Sequence, residues 1–265
     1  MLSALKIEWM KVKNYRTFWI LLAITIVTIP AGNYYIYYKI NDTFQGKGKM
    51  IIGSPFAFPD VWQVVSWNST LLFLVPALLI ITLTTNEFVY KTHRQNVIDG
   101  WSRNQFISVK IVEVVLLSLL TTLLVVLTSL GLAFLGNKVP TGVSIWQNSR
   151  YVFFYFVQML SYSMIAFLLS MLIKRAGLVI GVYLIYMLVE NIIVGIFHHV
   201  YNTNSVDYLP EQVTDNLIPL PYGKALLAQD SVSWEHHIPI YLIVAFVYLV
   251  GYCLLTGRLF VKSDL

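Results

Sequence analysis

The sequence predicts an all-α, polytopic membrane protein with six transmembrane helices behind an N-terminal interfacial helix. Three observations carry that prediction. Only 12% of the 265 residues are charged and 57% are hydrophobic, with a mean hydropathy of +0.69, against about 25% charged in an ordinary soluble domain. Six windows reach the roughly 20 apolar residues that cross a bilayer's hydrocarbon layer. The basic residues, finally, crowd the loops on one side.

Between Arg16 and Lys39 lie 22 uncharged residues, between Asp60 and Glu87 there are 26, between Glu113 and Lys138 there are 24, and between Arg150 and Lys174 there are 23. The fifth window is interrupted only by Glu190, and the sixth has 22 uncharged residues between Glu235 and Arg258. The expected spans are about 17–38, 64–86, 107–135, 151–173, 176–197 and 238–258, all within one membrane domain of residues 1–265. The first window lacks a small-residue cleavage site, so a retained span is expected. The lone Cys253 excludes an intrachain disulfide.

Basic residues of short loops collect on the cytoplasmic side. Assigned to alternate sides, twelve Lys and Arg fall with the two termini and six fall opposite. Both termini are therefore expected in the cytoplasm. The same bias accounts for the pI of about 9.1, and no basic face or motif points to nucleic acid.

Residues 2–16 place Leu2, Leu5, Trp9 and Val12 on one helical face, with Lys6 and Lys13 elsewhere on the wheel. That pattern predicts a helix lying in the headgroup region, with lysines toward anionic lipid. Pro30, Gly32 and Asn33 predict a bend near the outer end of the first span. The outer segment 39–60 carries too many Gly and Pro for a continuous helix, and Trp62 and Trp67 after it read as interface anchors. The third outer loop, about 198–237, contains an apolar piece at Leu217, Ile218 and Leu220, expected to dip toward the membrane.

The cytoplasmic loop from Asn86 to Lys110 mixes apolar and basic residues and is too long for a tight turn. Gly100 can stop a helix in the left-handed conformation, and Ser102 followed by Gln105 has the form of a capping box. A short helix over roughly 91–99 is therefore expected, with the third span starting from Arg103. Residues alone leave two readings open, a docking element or a charged connector.

Glu87, Thr92, Arg94, Gly100, Ser102, Arg103 and Lys110, together with the ALKIEWMKVKNYRTFW stretch before the first span, resemble the pattern of bacterial type-2 ABC transporter permeases. The resemblance implies a cytoplasmic coupling helix between spans two and three that fits a cleft on a separate ATPase subunit. It makes Glu87, Thr92, Arg94, Ile98, Gly100, Trp101 and Arg103 docking or coupling residues, with Val97 beside them and a second, shorter contact at Lys174 and Arg175. It also implies a permease subunit of an exporter in the bacterial inner membrane, paired with a second permease chain. ATP and Mg would be bound by the partner ATPase and no cofactor by this chain.

The chain has no Gly-x-x-x-x-Gly-Lys-[Ser/Thr] phosphate loop, and GKGK at 46–49 falls on the expected outer side. An ATP-driven process would need its engine in another polypeptide. Glu190 is an intramembrane carboxylate, which is either a functional group or an interfacial residue held by neighbouring amides. Glu113 is expected to form a surface ion pair with Lys110, one turn earlier. His198 and His199 near Glu190, and His236 with His237, lack the third ligand of a metal site, so no metal is expected. Ser118, Thr122 and Ser129 suggest helix packing. A self-contained secondary transporter using Glu190 stays open as an alternative, and more remotely an intramembrane enzyme, for which no catalytic motif is present.

Overall fold

The computed structural model describes residues 2–43, 55–98, 100–136, 144–201, 203, 205–222 and 231–262. All regular structure among them is helical. In chain order the helices are α1 (Leu2–Lys13), α2 (Arg16–Thr43), α3 (Val61–Thr70), α4 (Leu74–Val89), α5 (Thr92–Ile98), α6 (Arg103–Gly136), α7 (Arg150–Ile173), α8 (Ala176–Val200), α9 (Gln212–Asp215) and α10 (Ser231–Lys262), with a 3-10 turn at Ser205–Tyr208.

Five helices, α2, α6, α7, α8 and α10, are long and apolar enough to cross a membrane. The expected continuous span at 64–86 is instead two helices, α3 and α4, bent by 49° at a short break. The break is shaped by tight packing. A Cβ on Gly32 of α2 would lie 3.3 Å from Leu72 Cδ1. Next to it, the buried Asn33 donates from Nδ2 to Ser69 Oγ at 3.0 Å, pinning α2 to the end of α3. Pro30 lies inside α2, which runs on to Thr43.

Helix α7 is the central element and packs against α3, α4, α6, α8 and α10. Its polar residues Gln158, Ser161, Ser163 and Ser170 are buried with its apolar ones, as expected of a helix surrounded by protein on all sides. The core divides along the bundle into two halves. One gathers Trp62, Val64, Phe154, Tyr155 and Leu217. The other gathers Ile81, Phe106, Phe167, Tyr183 and Phe260.

Trp62 corrects the expectation of an interface anchor. It is fully buried, donates from Nε1 to the Ile145 carbonyl at 2.7 Å and stacks on Trp146. Trp67 is half-buried against Tyr222. Leu217 and Ile218 are buried in the bundle just after α9, whereas Leu220 is 47% exposed, so only part of the apolar piece folds inward. GKGK at 46–49 lies outside the described residues.

Candidate functional site

The loop after α4 forms a short helix whose ends follow from three residues. Lys91, at φ 56°, separates α5 from α4. Gly100, at φ 96°, ends it, and the Trp101 amide donates back to the Asn96 carbonyl at 3.0 Å, the hydrogen bond of a Schellman cap. Ser102 Oγ then accepts from the Gln105 amide at 3.1 Å, so α6 starts at Arg103 with its first turn capped.

Beneath α5 lies a buried group of charges drawn from three helices. Lys110 Nζ of α6 donates to Glu8 Oε2 of α1 at 2.7 Å and to Glu87 Oε1 of α4 at 3.1 Å, and it also reaches Glu113 Oε2 at 3.1 Å. Lys11 of α1 donates to Glu8 Oε1 at 2.7 Å and to Asn96 Oδ1 of α5 at 3.0 Å. The Thr92 hydroxyl donates to Glu87 Oε2, and His93 Nδ1 lies 2.7 Å from the Glu87 carbonyl. Burial pushes the Glu8 carboxyl up, but Lys110 and Lys11 outweigh it and hold it at about 2. Three carboxylates and two ammonium groups thus tie α1, α4, α5 and α6 together at one end of the bundle.

This arrangement corrects one expectation. Glu113 and Lys110 do pair, but not at the surface, because the Lys110 side chain is 3% exposed and shared among three carboxylates. On α1 the packed face carries Glu8, which is 2% exposed, while Trp9 is 53% exposed. The side chains of Leu2 and Leu5 lie outside the described residues. The helix therefore turns a charged residue inward, where partners await it, and an aromatic one outward.

The residues singled out in the loop separate into two sets. Glu87 and Thr92 are fastened beneath the surface and hold α5 in place. Arg94 and Ile98, four residues apart on one helical face, point away from the bundle, Ile98 being 77% exposed. Val89 and Tyr90 extend the exposed apolar surface. Trp101 is half-buried with Lys11 Nζ 5.9 Å over its ring, and Arg103 is half-buried. The side chain of Val97 lies outside the described residues. From the next loop on the same side, Lys174 places its ammonium 5.3 Å over the Phe88 ring, and Phe88 in turn lies against His93. Lys174 thus joins the α5 surface, while Arg175 beside it is exposed.

At the other end of the bundle Glu190 is 5% exposed and faces protein. Its Oε1 accepts from the Glu211 amide at 2.7 Å and the Gln212 amide at 3.0 Å, closing the open N-terminus of α9. Asp215, at the far end of α9, accepts from Gln158 Nε2 at 2.6 Å and from the Tyr162 hydroxyl. The segment around α9 is thus fastened to α8 at Glu190 and to α7 at Gln158 and Tyr162. Burial, with Asp215 and Glu190 nearby, pushes the Glu211 carboxyl up to about 9. Burial pushes Asp215 up to about 6 against its hydrogen bonds from Tyr162 and Gln158.

His198 Nε2 lies 2.7 Å from Asp207 Oδ1, the side chain of His199 lies outside the described residues, and His236 and His237 are exposed. No group able to hold a metal ion occurs among the described residues. Ser118, Thr122 and Ser129 each donate to a carbonyl four residues back in α6.

Sequence reasoning missed Glu8, Lys11, Asn96, Glu211 and Asp215. A usable signal existed for the first two. Charges are scarce in this chain, so a Glu and a Lys three apart on the apolar-faced α1 call for partners elsewhere in the fold. Glu211 and Asp215 carried no such signal, because a loop carboxylate is ordinarily solvated.

Residues 17–265 match a family model described as a protein of unknown function, DUF2705. The chain belongs to that family. No curated protein matches it.

Proposed function

We propose that this member of the DUF2705 family is the membrane-spanning permease subunit of an ATP-binding-cassette exporter, driven by a separate ATPase. The observation that carries the reading is the two-sidedness of α5. One side is exposed through Arg94 and Ile98. The other is fastened to α1, α4 and α6 by Lys11, Glu87 and Lys110. A push on the exposed side would move three helices together, as energy transfer from a partner to the membrane requires. The resemblance of this loop to type-2 ABC permeases names the partner.

In this reading α3 and α4 form one bent crossing, so the chain crosses six times with both termini and α5 in the cytoplasm. ATP and Mg belong to the ATPase, and a second permease chain completes the pathway. Arg94 would make charge-assisted hydrogen bonds to the ATPase, Ile98 would fill an apolar recess, and Lys174 and Arg175 would flank them. Gly100 and Trp101 would set the end of the helix and Arg103 the start of the next. The alternative of a secondary transporter using Glu190 is disfavoured, because Glu190 Oε1 is already taken by two amides.

The test is copurification of an ATPase with the tagged chain, followed by Ile98→Ala and Arg94→Glu. Both variants should insert normally and lose at least about tenfold of the copurifying ATPase, the equivalent of roughly 1.4 kcal/mol. Transport by the purified single chain without any ATPase would replace this reading with the secondary transporter.

A further inference from the structure

An open groove of about 400 Å³ runs along α6 between α1, α2 and α4, within the roughly 300–1,000 Å³ of small-molecule pockets. Its walls are apolar, with Trp9, Trp19, Leu83, Leu116 and Leu120 among them, and its acidic lining residues are Glu8 and Glu113. Residues 113, 116, 117 and 120 follow helical spacing along α6, so the groove has a carboxyl at one end and leucine for about 10 Å beyond it. Glu113 is the end nearer the start of α6. A membrane lipid of the same leaflet would lie in the same sense, head toward the surface and tail inward.

The charges around Lys110 do not balance. Glu8, Glu87 and Glu113 face two ammonium groups, and Lys11 serves Glu8 at 2.7 Å and Glu87 at 3.6 Å. Glu113 has Lys110 as its ion-pair partner among the described residues, at 3.1 Å, and its side chain is 18% exposed against 3% for Glu8 and 7% for Glu87. Glu113 is therefore the least compensated of the three carboxyls, at one end of an apolar groove. Trp19, one of the lining residues, is held by a hydrogen bond from its Nε1 to the Lys13 carbonyl at 2.9 Å.

We propose that this groove binds a zwitterionic phospholipid with a primary ammonium headgroup, of the phosphatidylethanolamine class. The ammonium donates to Glu113, and an acyl chain lies along Leu116 and Leu120 between Trp9 and Trp19. A choline headgroup has no N–H to donate to Glu113, and an anionic glycerol headgroup brings like charge to it. The inference rests on the reading that the chain spans a membrane with α1 at its inner surface, and is independent of which ATPase or cargo it serves.

The experiment is native mass spectrometry of the purified full chain, delipidated and offered phosphatidylethanolamine, phosphatidylcholine and phosphatidylglycerol with identical acyl chains. Wild type should retain one phosphatidylethanolamine per chain, with roughly tenfold preference over the other two. Glu113→Gln should bring that preference near unity while lipid still binds. Leu116→Trp, which fills the groove and leaves the charges in place, should remove the bound lipid, and it serves as the decisive variant if Glu113→Gln does not fold. Equal retention of all three lipids by wild type, or undiminished preference in Glu113→Gln or Leu116→Trp, overturns the proposal. Absence of headgroup preference in wild type, with ATPase copurification intact, would sink the lipid site alone.

Discussion

Lys110 Nζ and Glu8 Oε2 lie 2.7 Å apart across 102 residues of chain, both side chains 3% exposed. A buried ion pair of this kind contributes little net stability over an apolar pair, but removing one partner leaves a buried charge uncompensated, at about 3–5 kcal/mol. Lys110→Met should therefore lower the thermal midpoint more than Glu8→Gln, because it takes the ammonium from three carboxylates, whereas Glu8→Gln removes one carboxylate from two ammonium groups that both keep Glu87. A double-mutant cycle between the two, followed by thermal unfolding in nanodiscs, should show coupling above about 1 kcal/mol. Strict additivity would mean that the two groups do not interact energetically.

Gly100 sits at φ 96°, a conformation that strains any residue with a Cβ, by about 1–2 kcal/mol. Space is not the obstacle, since nothing lies within 4 Å of an added Cβ. Gly100→Ala should therefore loosen the end of α5 and increase amide exchange over residues 92–98, whereas Gly100→Asn should do so less. Equal exchange in wild type and Gly100→Ala would count against the Schellman cap.

The packing of the segment around α9 should weaken as pH rises. Folded Glu211 and Asp215 hold protons up to about 9 and about 6, above their ordinary values of 4.5 and 3.8. Between those limits the folded state binds more protons than the unfolded state, so stability falls with increasing pH. The contribution is fully present below about pH 4 and is lost as pH passes through about 6 and then 9. The thermal midpoint should drop between pH 5 and 9, and Glu211→Gln should flatten most of the upper part of that drop. An unchanged pH profile in Glu211→Gln would show that another group sets it.

Orientation is testable by cysteine labelling in a Cys253→Ser background. An impermeant thiol reagent applied to intact cells should modify His236→Cys and spare Arg94→Cys, both positions being exposed. The opposite pattern would invert the bundle and place α5 outside, where no ATPase could reach it.

What the sequence by itself determined is local or additive. Windows of about 20 apolar residues have the length that crosses hydrocarbon as helix, so the long apolar helices were legible from composition and spacing. The limits of α5 were legible for a similar reason. Gly100 and Ser102 act on the backbone within a few residues of themselves, and the observed helix ends where they lie. The tertiary structure decided the rest. It broke the second window at 71–73, where Gly32 and Asn33 of α2 press against the turn. It buried Trp62 and turned Glu8 inward. It also set Glu190 as the cap of a helix 22 residues away. Each of these depends on which side chains from distant parts of the chain converge. A buried charge or indole takes its role from the partner that satisfies it, and no periodicity within one helix names a partner on another.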